Sequence, residues 1–247
     1  MRSWWPPLLL LSAAVGVWEL VVRAAHVADY LFPAPSAVVR SLVDDADLIG
    51  SATLVTVREI VLGYLLALAV GLALAVVIHL SAVVRRSLLP ILVVSQTVPT
   101  VVLAPVLAIL LGFGIGPKLV VVAIVCFFPI VVNAVDGLRA TDPELIRMMR
   151  TLDGDRWAIF TRVELPGALP AIFSGARIAA TYAAVGAVFG EWAGSSSGLG
   201  FVMLQAQPEL DTARIFAVIV VLSALALALY GLVTLAELLF VPWRNNA

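Results

Sequence analysis

The stretch LGYLLALAVGLALAVVIHL, residues 62–80, decides the fold. It is an uninterrupted apolar run close to the roughly 20 residues that a helix needs to cross the hydrocarbon core of a bilayer. In lipid every backbone N–H and C=O must be paired within the spanning element, so a run of this kind has to be helical. A transmembrane barrel would give strands of ~10 alternating residues, and neither this run nor residues 119–135 alternates.

The rest of the chain agrees with that reading. Its 247 residues are 62% hydrophobic and 13% charged, with a net charge of -1. Soluble domains carry nearer a quarter charged residues, so the bilayer is the solvent. Nothing in the charge balance suggests a nucleic-acid partner. Six spans are predicted, at about 7–25, 54–80, 88–112, 117–138, 172–193 and 213–240. The third holds Pro90, Pro99 and Pro105, each of which removes a backbone donor, so it is expected to be broken and to face the interior. With no repeat and no polar linker, residues 1–247 read as one transmembrane domain.

Arginines gather in alternate loops: Arg2, then Arg85 and Arg86, then Arg139, Arg147, Arg150, Arg156 and Arg162, then Arg244. The opposite loops hold Asp44, Asp45, Asp47, Glu209 and Asp211. The positive-inside rule therefore places both termini and the loop at about 139–171 in the cytoplasm. Arg2 followed by residues 8–17, with Ser12, Ala13 and Ala14 as a cleavage-like region, resembles a signal peptide but is expected to persist as the first span.

Several chemistries are excluded. A single cysteine, Cys126, rules out an intramolecular disulfide and a cysteine-clustered metal site. Residues Gly194 to Gly198 match Gly-x-Ser-x-Gly, but a nucleophile elbow needs a preceding strand and an activating histidine, and His26 and His79 lack that setting. The run from Gly112 to Lys118 lacks the spacing of a phosphate loop, so ATP hydrolysis would have to come from another polypeptide.

The 139–171 loop carries the most information. Thr141, Asp142, Pro143 and Glu144 read as a capping box, with Thr141 as cap and Glu144 bonding back. Leu145, Met148, Met149 and Leu152 then form an apolar stripe, Arg147 and Arg150 take the other side, and Gly154 is placed to end the helix. A second short helix with Trp157 and Phe160 is expected before Pro166 and Pro170 lead back into the membrane. An amphipathic pair of this kind could lie on headgroups. Adaptable methionines beside arginines also suit a groove in a soluble partner.

At this point the chain resembles the permease subunits of bacterial binding-protein-dependent ABC importers, in the branch of nitrate, sulfonate, taurine and thiamine-precursor transporters. The resemblance covers nearly the whole chain and rests on Phe32 to Ser36, Asp142 to Leu145, Arg150 to Leu152, Arg156 to Phe160, Leu165 to Pro170 and Gly198 to Gly200. It implies an all-α, type I importer-like permease with about six transmembrane helices in the inner membrane. It further implies that residues 141–162 dock on a cytoplasmic ATPase present in two copies, which holds the ATP and Mg. A second permease copy and an extracytoplasmic solute-binding protein complete the implied assembly, and this chain binds no cofactor itself. Glu144, Leu145, Arg147, Met148, Met149, Leu152, Asp153, Gly154, Arg156, Trp157 and Phe160 would form the coupling loop. The pattern departs from the family where Arg147-Met148-Met149 replaces the usual Glu-Ala-Ala, and where Asp153 takes the place of the expected glycine.

For the translocation path the candidates are Gln96, Thr97, Pro99, Asn133, Tyr182 and Glu191. Neutral polar groups in a span also tie helices together, and Glu191 beside Trp192 could simply sit at the outer interface. Gly186, Gly190 and Gly194 offer a smooth face for another helix, within the chain or in a second copy. Spans three to five offer no obvious cation to a cavity, which weighs against an anionic solute. Segments around Ser95 to Pro99, Cys126 to Asn133, Gly190 to Trp192 and Met203 to Ala206 look most similar to the thiamine-pyrimidine precursor branch, implying a hydroxymethylpyrimidine-like solute. A sulfonate, taurine or nitrate permease is the near alternative. An ion-coupled secondary transporter using Glu19, Glu191 or Glu237 is the alternative from another class.

Overall fold

The computed structural model describes residues 5–242; Arg2 and Arg244, used in the orientation argument, lie outside them. Among the described residues the secondary structure is helical, without strands. In chain order the helices are α1 (Trp5–Ala24), α2 (Pro35–Asp44), α3 (Ala46–Leu80), α4 (Ala82–Ser95), α5 (Thr100–Leu111), α6 (Ile115–Arg139), α7 (Pro143–Thr151) and α8 (Arg156–Ile159). A π-helical turn, Phe160–Glu164, then leads into α9 (Leu165–Trp192), α10 (Leu199–Ala206) and α11 (Thr212–Phe240). Among the described residues five stretches are long and apolar enough to cross a membrane, and α4 with α5 makes a sixth if the bent pair is one span.

That bent pair turns through 100°. At 1.5 Å per residue, α4 and α5 are about 21 and 18 Å long, each short of the ~30 Å core. Of the three prolines, Pro99 alone stands at the break, as the N-cap of α5. Pro90 and Pro105 lie inside α4 and α5, where a membrane helix tolerates the lost donor once its surroundings satisfy the freed carbonyl.

By contact the chain divides into two compact units. One gathers the chain up to Thr56 with Ser196–Ser223. There Trp18, Phe32 and Phe216 cluster, with Phe32 edge-on to Phe216 at 5.6 Å. Pro35 occupies the first turn of α2. The carboxylate of Glu19 accepts from the Ser36 N–H at 3.0 Å and from its hydroxyl at 2.8 Å, so α1 supplies the cap that α2 lacks in its own sequence. The Phe32–Ser36 motif is thus a packing and capping device. Arg214 grips Asp45 with two hydrogen bonds of 3.1 Å and also meets Glu209 and Asp211.

The other unit gathers Val57–Ser195 with the chain from Ala224 onward. Its centre is α6 against α9. A Cβ added at Gly186 would lie 2.9 Å from the Val122 Cα, and one at Gly190 would lie 3.0 Å from the Lys118 Cα. Ala176, Ala179, Ala180, Ala183 and Ala187 of α9 are buried along the same seam. The small-residue face therefore packs within the chain. Gly194 is outside the helix, at φ 135° with the Phe113 ring against it.

Candidate coupling loop and membrane cavity

Helix α7 is capped by Asp142, whose Oδ1 accepts the Glu144 N–H at 2.8 Å. The expected capping box does not form. Thr141 instead donates its hydroxyl to the Leu138 carbonyl, and Glu144 reaches forward to Arg147 at 3.6 Å. With Pro143 at the first helical position, Asp142 is the residue that directly precedes the helix, and its carboxylate meets the free N–H.

The helix ends where Asp153 adopts φ 56°, the left-handed conformation that glycine favours. Gly154 follows, donating to the Met149 carbonyl at 2.9 Å, and a Cβ there would sit 2.7 Å from that oxygen. The termination is therefore shared by two residues: Asp153 supplies the turn and Gly154 the close approach. Leu145, Met148, Leu152 and Trp157 are all exposed, a ridge of apolar side chains with Arg147 and Arg150 beside it.

The second expected helix is not separate. Asp155 caps α8 at 2.6 Å through the Ala158 N–H, and α8 continues through the π-turn into α9 as one helical stretch from Arg156 to Trp192. Pro166 fits in the first turn of α9, and Pro170 is carried inside it. At the base of this stretch Phe160 and Glu164 are buried.

A cavity of about 1090 Å³ opens among α3, the α4–α5 break, α6 and α9. Gln96, Pro99, Asn133 and Tyr182 line it, together with Phe127, Phe128 and Phe189. Asn133 donates its amide to the Pro129 carbonyl at 2.8 Å, which turns its amide oxygen away from that bond. Two path candidates lie elsewhere. Thr97 spends its hydroxyl on the Val94 carbonyl at 2.7 Å, and Glu191 is wholly buried away from the cavity wall.

Sequence reasoning named the carboxylate Glu237 but missed the intramembrane cations. Arg177, inside the fifth span, pairs with Glu237 of α11. Lys118 in the first turn of α6 bonds Glu59 at 2.7 Å and the Ser195 hydroxyl at 2.6 Å. Neither cation lines the cavity, so the expectation that no cation was present is corrected while the cavity wall itself carries no charged residue. The mean apolarity of the spans hid these residues; a charged residue in a span with an opposite charge in another is the signal that would have found them. The Gly194–Gly198 segment follows a helix, not a strand.

A family model described as binding-protein-dependent transport system inner membrane component matches residues 59–240. A probable ABC transporter permease protein of Haemophilus influenzae is 38% identical over 224 residues, 91% of each chain. The formylaminopyrimidine transport permease protein ThiX of Halalkalibacterium halodurans is 31% identical, covering 97% of this chain and 96% of its own. The putative aliphatic sulfonates transport permease protein SsuC of Bacillus subtilis is 28% identical over 99% of this chain and 89% of its own.

Proposed function

The chain belongs to the family of binding-protein-dependent transport system inner membrane components, and from that premise we propose that it forms the membrane path for a neutral, planar heteroaromatic solute of the aminopyrimidine kind. The observation that carries the solute class is the cavity: Phe127, Phe128, Tyr182 and Phe189 provide flat apolar faces, and Gln96 and Asn133 provide neutral hydrogen-bonding groups. Such a wall stacks a ring and reads its edge without asking for charge. About 1090 Å³ is more room than one ring needs, as befits a passage. The resemblance to a formylaminopyrimidine permease supports the same class.

In this reading two copies of the chain work with two cytoplasmic ATPases that hold ATP and Mg, and an extracytoplasmic binding protein delivers the solute. The exposed ridge of Leu145, Met148, Leu152 and Trp157 is the ATPase contact. Nucleotide-driven movement there biases which side of the cavity is open. Both termini face the cytoplasm. A sulfonate solute is the second reading, supported by the relative in Bacillus subtilis.

Purification of the tagged chain in mild detergent, with mass spectrometry of its companions and an ATP hydrolysis assay, tests the assembly. Replacing Met148 and Met149 by aspartate is expected to strip the ATPase from a permease that remains folded. A hydrolytically silent preparation without an ATPase companion would instead favour ion-coupled transport. Uptake of radiolabelled hydroxymethylpyrimidine by cells expressing the complex, unaffected by excess taurine, is the expected solute result. Taurine uptake indifferent to the pyrimidine would overturn it.

A further inference from the structure

We infer that His79 and Glu164 are a positioning pair through which the 141–162 loop acts on α3, an inference that rests on the docking role proposed for that loop. His79 is in the last turn of α3, and Glu164 closes the π-turn that joins the loop to α9. His79 Nε2 and Glu164 Oε2 are 2.8 Å apart, with the side chains 8% and 3% exposed. The other carboxylate oxygen of Glu164 faces Arg156 of α8 at 3.7 Å. One buried carboxylate therefore holds a cation from the loop on one oxygen and the end of a membrane helix on the other.

A second track runs beside the first. Trp157, exposed on the loop, packs on Phe160 at 5.7 Å between ring centres, and Phe160 meets the His79 ring at 6.2 Å. Val76, one turn earlier in α3, packs on the buried group of Leu138, Phe160 and Ala168. Polar and aromatic contacts thus converge from the loop on the same turn of α3.

A carboxylate this buried is held only by its partners, so displacement of Arg156 or of the π-turn changes the energy of the His79 contact directly. Hydrogen bonding also makes the linkage directional, unlike the surrounding apolar packing. The π-turn gives the joint a local geometry different from the helices on either side, as π-bulges often do at functional positions. The surfaces expected to move with nucleotide are those that α3 lends to the cavity, including Leu66 and Val70.

The test uses the whole complex with its co-purified ATPase, carrying Leu66→Cys as a reporter on the cavity wall. Labelling by a polar maleimide is compared between nucleotide-free and ATP–vanadate-trapped states. In the parent the two states should differ at least fivefold. His79→Leu should keep the ATPase bound and hydrolysis within twofold, yet reduce the labelling contrast below twofold. His79→Gln, which retains an N–H donor toward Glu164, should restore most of the contrast. Full contrast in His79→Leu would overturn the inference, as would a parent reporter whose labelling does not change with nucleotide. If His79→Leu does not elute as a folded complex, Glu164→Gln serves in its place, and loss of the fold in both would show a structural tie only and overturn the inference as well. A parent that brings down no ATPase sinks the docking reading itself, which distinguishes that failure from failure of the pair.

Discussion

Arg177 of α9 and Glu237 of α11 form an ion pair whose side chains are 17% and 6% exposed, between two largely apolar helices. Glu237 is one of the carboxylates an ion-coupled transporter would need free to exchange protons. It is engaged by the Arg177 guanidinium instead. Arg177→Ala or Glu237→Ala is expected to destabilise the protein by about 3–5 kcal/mol, because each strands a buried charge. The double replacement by methionine should recover most of that loss. Thermal unfolding in detergent, read for all three variants, checks both statements.

Asp153 holds a left-handed backbone that glycine adopts without strain. Asp153→Gly should raise stability by about 0.5–1 kcal/mol and Asp153→Val should lower it. Because the change is confined to the turn, ATPase co-purification with Asp153→Gly should equal that of the parent.

The contact between α6 and α9 has no spare room. Gly186→Leu would drive a side chain into the Val122 backbone, at an expected cost of about 2–3 kcal/mol, read as a fall in folded yield and midpoint. Gly50 in α3 has nothing within 4 Å of its missing Cβ. Gly50→Ala should therefore stabilise by up to about 1 kcal/mol through helix propensity alone.

The two hydrogen bonds from Arg214 hold the Asp45 carboxyl below its ordinary value, with Ser41 assisting at 2.9 Å. A carboxyl depressed on folding stabilises the fold above its unfolded pKa, and that contribution is lost as pH falls through the folded pKa. Unfolding midpoints should therefore drop as pH is lowered below about 4, and Asp45→Asn should flatten that part of the profile.

Much of the architecture was legible because bilayer physics leaves few choices. The run at 62–80 could only be a helix, and the stripe from Leu145 to Leu152 could only be amphipathic. What escaped were features set by partners distant in sequence. Nothing near Ser36 reveals that Glu19 will cap it, and nothing near His79 names Glu164, 85 residues away. The extension of α3 back to Ala46, and the helices α2 and α10, were missed because those segments are too short or too mixed to register as spans. The capping-box pattern pointed to Thr141, and only the geometry of the turn gives the role to Asp142.

Replacing Asn133 by Leu removes an amide from the cavity wall while keeping its bulk. Uptake of the proposed pyrimidine solute is expected to fall about tenfold, equivalent to one lost hydrogen bond of ~1.4 kcal/mol, with hydrolysis retained. Uptake assays with purified complex in liposomes separate the two.

The 100° break at Gln96–Pro99 has an electrical consequence. Its N–H groups at Gln96, Thr97 and Val98 are met by the carbonyls of Val93, Val94 and Ser95, and the break leaves α4 and α5 each too short to span, beside the cavity of about 1090 Å³. Where water fills such a cavity, the membrane voltage falls mostly across the apolar thickness that is left. A solute with net charge would meet that concentrated field, at ~2.3 kcal/mol per charge for each 100 mV. A neutral ring would cross the same distance with no electrical work, leaving the energy of nucleotide hydrolysis to act against concentration alone.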